Sequence, residues 1–185
     1  MNEELVGIED LSRRLRVAED QLALLAIEGV YGYLYDSRQG EAWAELFTDD
    51  GVYEGRRWAT VPASRQSFTQ GRGALADLCE HDSLSGAHFM NLPHFIIDGD
   101  SATARIHFQI HTQGKDEFDR YHAWAVNGYY DAAYLRTDVG WKIKRRITTY
   151  LEAVQRTLYG YEPSAAGLAT VAEPRSKGVA SVDGH

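Results

Sequence analysis

Residues 94–111, HFIIDGDSATARIHFQIH, decide the architecture, because they carry a tight turn followed by a run in which every second side chain is apolar. Ala102, Ala104, Ile106, Phe108 and Ile110 alternate with Thr103, Arg105, His107, Gln109 and His111. That period of two is the pattern of a strand with one face in a core. Asp98-Gly99-Asp100 is hairpin chemistry and joins this strand to the preceding stretch HFMNLPHFII, residues 88–97.

Toward the C-terminus the same period continues. A long segment, 121–136, and a final strand, 141–151 (WKIKRRITTYL), are separated by the turn Thr137-Asp138-Val139-Gly140. Strict alternation places Trp141, Ile143, Arg145, Ile147 and Thr149 on one face, which makes Arg145 a cation on the apolar side; a bulge would put Arg146 there instead.

Toward the N-terminus the period becomes helical. Residues 18–37 (AEDQLALLAIEGVYGYLYDS) are apolar nearly all round at 100° per residue, which predicts a buried helix. Asp36 shares one stripe of it with Ala18, Leu22, Leu25, Gly29 and Gly32. A carboxylate there must be paired, hydrogen-bonded or protonated, which makes it an acid/base candidate. The competing reading is a helix cap, or the start of the turn Asp36-Ser37-Arg38-Gln39-Gly40. Upstream, Ile8, Leu11, Leu15, Ala18, Leu22 and Leu25 recur at steps of three and four, a short heptad-like stripe suited to packing on a neighbouring subunit or on the chain's own sheet. EAWAELFTD (41–49) and GRGALADLCEHD (71–82) read as shorter helices, with Asp49-Asp50-Gly51 as a turn before Val52-Tyr53-Glu54. Helices first and a meander of strands afterwards indicate an α+β domain, helices gathered on one side of a curved sheet, with a pocket between them.

A chain of 185 residues accommodates one well-buried core. Its 44% hydrophobic and 25% charged composition is that of an ordinary globular protein, and no apolar run approaches the roughly 20 residues that span a bilayer. The acidic start MNEELVGIEDL lacks a signal core, so a cytoplasmic location is expected. The single cysteine, Cys79, excludes an internal disulfide. A net charge of −8 disfavours nucleic acid as a partner. The organisation expected is an N-terminal helical extension over 1–17, the α+β domain over 18–155, and a tail over 156–185, unstructured or held by a neighbouring subunit.

Most signatures of specific chemistry fail on context. Gly71-Arg72-Gly73-Ala74-Leu75-Ala76 imitates a dinucleotide fingerprint but comes after no strand of a βαβ unit. Four residues of strand separate His107 from His111 by roughly 13 Å, too far to share an ion, so no metal and no cofactor is expected. There remain groups suited to proton transfer: Asp36, His88, Tyr31, Tyr35, Tyr53, Asn127 and Arg145. An imidazole and a carboxylate in a dry pocket make a competent general base.

The segments LYDSRQGEAWAELFTDDGVYE, AHFMNLPHFIIDGDSATARI and YHAWAVNGYYDAAYLRTDVGWKIKRR, with the helix before them, resemble the SnoaL-like branch of the nuclear-transport-factor-like superfamily over roughly residues 15–152. The resemblance implies a cone-shaped, curved antiparallel sheet with N-terminal helices enclosing a pocket. Within that superfamily the chain is similar to the scytalone dehydratases and the bile-acid 7α-dehydratases. Tyr35-Asp36-Ser37 resembles the tyrosine–aspartate pair of the scytalone dehydratases, Tyr31 with its spacing to Asp36 the tyrosine and aspartate of the bile-acid enzymes, His88 the histidine that the aspartate orients, Tyr53 a second tyrosine that polarises a carbonyl through water, and Asn127 a pocket asparagine. A further pocket histidine of those enzymes would fall near His111 or Thr112. The resemblance implies catalytic roles for Asp36, His88, Tyr35 and Tyr53; the residues expected to bind substrate are Tyr31, Asn127, Arg145 (or Arg146 if a bulge shifts the strand), Phe108 and Trp124. It also implies a homo-oligomer, trimer or dimer. The activity expected is that of a cofactor-independent lyase, a dehydratase or isomerase acting on a small apolar cyclic or polyketide-like compound. Alternatives are a polyketide cyclase or dehydrohalogenase with the same site, the non-catalytic small subunit of a ring-hydroxylating dioxygenase, or a ligand-binding module.

Overall fold

The computed structural model describes residues 2–56, 67–82, 86–115 and 121–157. The elements in order are helix α1 (Asn2–Asp36), α2 (Gly40–Ala44), strands β1 (Phe47–Arg56) and β2 (Ser67–Gln70), helix α3 (Arg72–His81), then β3 (Gly86–Met90), β4 (His94–Asp98), β5 (Ser101–Lys115), β6 (Tyr121–Thr137) and β7 (Gly140–Thr157). The strands form one open sheet in the order β2-β1-β7-β6-β5-β3, with β4 pairing the other half of β5. All pairings are antiparallel except β1 with β7, which run parallel. The sheet is therefore mixed, where the meander of strands and the resemblance had implied an antiparallel one. Side-chain period reports which face is buried and is silent on strand direction.

Three local departures shape the sheet. The stretch 88–97 is two strands, broken at Asn91-Leu92-Pro93, where the Asn91 amide donates to the His107 carbonyl at 2.9 Å. Asp49-Asp50-Gly51 lies inside β1 as an irregularity between the pairs Phe47–Ile143 and Val52–Arg145. Between β6 and β7 the register slips twice, so that Lys144 and Leu151 are extra residues on β7. Each bulge bends its strand and raises the local twist. Gly128 sits where the curved strands crowd: a Cβ there would lie 2.4 Å from the Thr149 carbonyl oxygen and 2.5 Å from the Phe108 ring.

Helix α1 is a single element of 35 residues, about 52 Å at 1.5 Å per residue. No break separates its first turns from the stretch beginning at Ala18, so the expected extension over 1–17 is continuous with the domain's main helix. From residue 7 on, its buried side chains are Asp20, Leu24, Glu28 and Tyr31, with Leu25, Ile27, Leu34 and Tyr35 half-buried against the core, while Leu22, Val30 and Tyr33 are exposed. The reading of 18–37 as buried all round thus fails: one side of the helix meets the sheet from Asp20 to Asp36 and the other side is exposed. The helix ends in a Schellman arrangement, with Gln39 N–H donating to the Leu34 carbonyl at 2.9 Å and Arg38 N–H to that of Tyr35 at 3.1 Å. Arg38 takes the left-handed position at φ 58°, where glycine is usual. Trp43, Phe47, Ile106, Tyr130 and Ile143 fill the core between helices and sheet. No helix among the described residues is long and apolar enough to cross a membrane.

Candidate active site

A cavity of about 300 Å³ opens between the C-terminal end of α1 and the sheet, lined by Tyr31, Tyr35, Asp36, Arg38, Tyr53, Asp82, Gly86, His88, Ile110, Thr112, Val126, Tyr130 and Tyr150. Asp36 and His88 meet on its wall across 52 residues of chain. The His88 amide donates to Asp36 Oδ2 at 2.8 Å and the ring Nδ1 lies 2.5 Å from Oδ1. With the carboxylate ionised, this geometry assigns the Nδ1–H tautomer and leaves Nε2 as the free base. The pair is sheltered but not sealed: the His88 side chain is 8% exposed and that of Asp36 24%. Close approach of α1 to β3 makes it possible, since a Cβ on Gly32 would come within 3.0 Å of the His88 Cβ.

Tyrosines form most of the remaining wall. The Tyr35 ring stands edge-on to the His88 ring at 5.5 Å, and its hydroxyl donates to Asp82 Oδ2 at 2.6 Å. Tyr53 accepts a hydrogen bond from Thr148 Oγ1 at 2.9 Å. Burial pushes the phenols of Tyr31, Tyr35 and Tyr53 above their usual range, with neighbouring Tyr53 and the bond to Asp82 adding to it at Tyr35. They are protonated hydrogen-bonding groups throughout the physiological range. Asp82, the residue after α3, is a second pocket carboxylate that sequence reasoning missed; a lone aspartate before residues 83–85 carried no periodic signal.

Beneath the pocket lies an ion pair that the sequence reading also missed. Arg146, fully buried, pairs through Nη2 with Glu28 Oε1, and Tyr134 donates to the same oxygen at 2.7 Å. The guanidinium carbon stands 3.8 Å from the centroid of the Tyr31 ring and 4.8 Å from that of Tyr130. Burial disfavours the charge, but Glu28 and the surrounding Tyr31, Tyr134 and Tyr130 outweigh it and raise the Arg146 pKa.

Several expected residues fall elsewhere. Arg145 is on the opposite face of β7, half exposed and paired with Glu54, because the extra residue Lys144 flips the alternation from there on. Arg146, not Arg145, is the inward cation. Asn127 also faces away from the pocket and accepts from Gln109 Nε2 at 2.9 Å; its neighbour Val126 lines the cavity instead. Phe108 is buried one layer below, stacked on Tyr130 at 4.4 Å. Thr112 reaches the pocket, whereas His111 lies outside against Phe89 and Gln109. The Trp124 side chain lies outside the described residues.

With this fold and this site, the chain belongs to the SnoaL-like domain family, whose pattern matches residues 16–147. No curated protein matches it. Among solved structures it is similar to a nuclear-transport-factor-2-like protein with a cystatin-like fold from Novosphingobium aromaticivorans, at 26% identity and TM-score 0.58 over 89% of this chain and 96% of that one. A structure provisionally assigned as a scytalone dehydratase from the same organism aligns at 18% identity and TM-score 0.59, covering 81% and 95%. A type 2 hexachlorocyclohexane dehydrochlorinase aligns at 16% identity and TM-score 0.59, covering 84% and 99%. The last two likenesses establish the fold.

Proposed function

We propose that this protein is a cofactor-independent lyase of the dehydratase/isomerase type, acting on a small, largely apolar cyclic or polyketide-like compound. The observation that carries the reading is the Asp36–His88 pair, with Nδ1 committed to the carboxylate and Nε2 left to the cavity. His88 Nε2 takes a proton from carbon next to a carbonyl, and the electron pair left behind forms an enolate. Asp36 holds the tautomer and stabilises the imidazolium. In an elimination the enolate collapses, the β-carbon–oxygen bond breaks, and the imidazolium returns its proton to the departing hydroxyl as water. Returning it to a different carbon would be isomerisation.

The tyrosines divide the remaining work. Tyr53 and Tyr31 can donate to the enolate oxygen, since their phenols stay protonated. Tyr35 has its proton directed at Asp82, so in the free protein its oxygen faces the pocket as an acceptor suited to a substrate hydroxyl. A cavity at the small end of the usual range favours a one- or two-ring substrate. The neighbouring dehydratase and dehydrochlorinase, whose named reactions are both eliminations, support the reading.

The test is a panel of one- and two-ring β-hydroxy ketones, assayed for water loss and for proton exchange with solvent. On an active compound, His88→Ala and Asp36→Asn should each lower single-turnover rates about 10²- to 10⁴-fold, and the double variant should be little worse. Dissociation constants should move far less. Turnover surviving in His88→Ala, or losses that simply multiply, would sink the pair as a unit; tight binding with neither water loss nor exchange on any compound would favour a binding module.

A further inference from the structure

Helix α1 carries a second apolar face that none of the described residues of its own domain covers. The buried stripe Asp20, Leu24, Glu28 and Tyr31 turns toward the sheet. Roughly opposite, at 100° per residue, run Ile8, Leu11, Leu15 and Leu22, between 56 and 66% exposed. Folding back on the same sheet is excluded, because the sheet already holds the other side of the same rigid helix.

We infer that this face pairs with the same face of a second copy, as a parallel, in-register two-helix seam over residues 8–25. Spacing and residue types agree with it. Ile8, Leu15 and Leu22 fall at the first heptad position and Leu11, Ala18 and Leu25 at the fourth, with Leu25 also packed against the domain's own core. Charge complementarity sets the direction. Arg14 flanks the seam on one side and Glu19, five residues on, flanks it on the other. In a parallel pair each Arg14 faces the Glu19 of the other copy, twice by symmetry, and the remaining flanking positions, Gly7, Ser12, Gln21 and Ala26, are uncharged. An antiparallel pair brings none of these charges together. Among the described residues of its own chain Arg14 pairs with Asp10, at 4.0 Å. Two and a half heptads are too few for free peptides, but here the helix is anchored by its domain from Asp20 onward, so the seam does not bear the cost of nucleating it.

The full chain should sediment as a dimer at micromolar concentration. Leu11→Cys should form an intermolecular disulfide on mild oxidation, because a parallel register brings the two copies of that position together; Arg13→Cys, on the outer side of the helix, should not. Cys79 is buried, and burial pushes its thiol up to about 11, so it does not compete. Leu11→Glu with Leu15→Glu should give a monomer with an unchanged helical spectrum. Arg14→Glu should weaken the dimer at least tenfold, and Arg14→Glu with Glu19→Arg should restore it. A monomeric or trimeric wild type, no disulfide through position 11, or a dimer indifferent to these substitutions would each overturn the seam.

Discussion

Glu28 and Asp36 leave helix α1 about two turns apart, and each finds a basic partner on the sheet, yet the two pairs are built for different ends. Glu28–Arg146 is sealed under the pocket floor, 4% and 0% exposed, with Glu28 Oε2 and Arg146 Nε and Nη1 lacking a hydrogen-bond partner among the described residues. Asp36–His88 lies at the edge of a cavity, its carboxylate bonded twice and one ring nitrogen left over. Depth decides use. A pair out of reach of any ligand can only hold elements together and shape the field around Tyr31 and Tyr130, whereas a pair half a layer higher can exchange a proton.

Stability measurements separate the two pairs. Arg146→Met leaves Glu28 buried with no counter-charge and should cost about 3–5 kcal/mol in urea denaturation, while Glu28→Gln added to it should recover most of the loss. His88→Ala should cost far less than Arg146→Met; an equal loss would mean that the pocket pair is structural too.

A third acid on the same helix sharpens the contrast through pH. Asp20 accepts from Arg136 Nη2 at 2.6 Å and from Trp141 Nε1 at 3.0 Å. The Arg136 bond, against some desolvation, holds its carboxyl below the usual range. A depressed folded pKa contributes stability that is fully present above the unfolded value and lost as pH falls through the folded one. Asp20→Asn should therefore cost about 2 kcal/mol at pH 7, with the gap from wild type closing as the pH falls below about 4. A gap that persists at pH 2 would show that the contact is not carried by charge.

The smallest effect separates two glycines of α1. Nothing lies within 4 Å of a Cβ built on Gly29, whereas one on Gly32 presses His88. Gly29→Ala should stabilise by about 0.5–1 kcal/mol through helix propensity. Gly32→Ala should gain less and should lower turnover by displacing β3. Equal gains with turnover intact would mean that the close approach does not position the histidine.

Much of the fold was legible because hydrophobic period is a local property. Alternation at 102–110 and the Asp98-Gly99-Asp100 turn predicted β5 and its hairpin, and the helical spacing before residue 37 predicted α1. Asp36 was legible as a carboxylate inside an apolar pattern, and resemblance pointed to His88. Arg145 was misplaced for a different reason, while Asn127, placed by resemblance, lies on β6, where no extra residue alters the alternation. The face of a strand residue depends on every bulge before it, and Lys144 as an extra residue inverts the facing of the residues after it, though nothing in KIKRR marks which lysine or arginine is the extra one. Glu28 went unremarked because a glutamate on a helix is ordinarily a solvated one; only the arrival of Arg146 and Tyr134 from strands more than a hundred residues away makes it a core residue.

Sequence by itself determined the class of fold, the unbroken apolar stripe on the outer side of α1 and the presence of an acid at the helix end. Tertiary structure alone decided that β1 runs parallel to β7, that Tyr35 spends its proton on Asp82, that Arg146 rather than Arg145 turns inward, and that Asp36 grips His88 with both oxygens. The division has a physical cause. Burial patterns are written at spacings of two to four residues, whereas partners for a buried charge are chosen by strand register and bulge position, which emerge only when the whole sheet has formed.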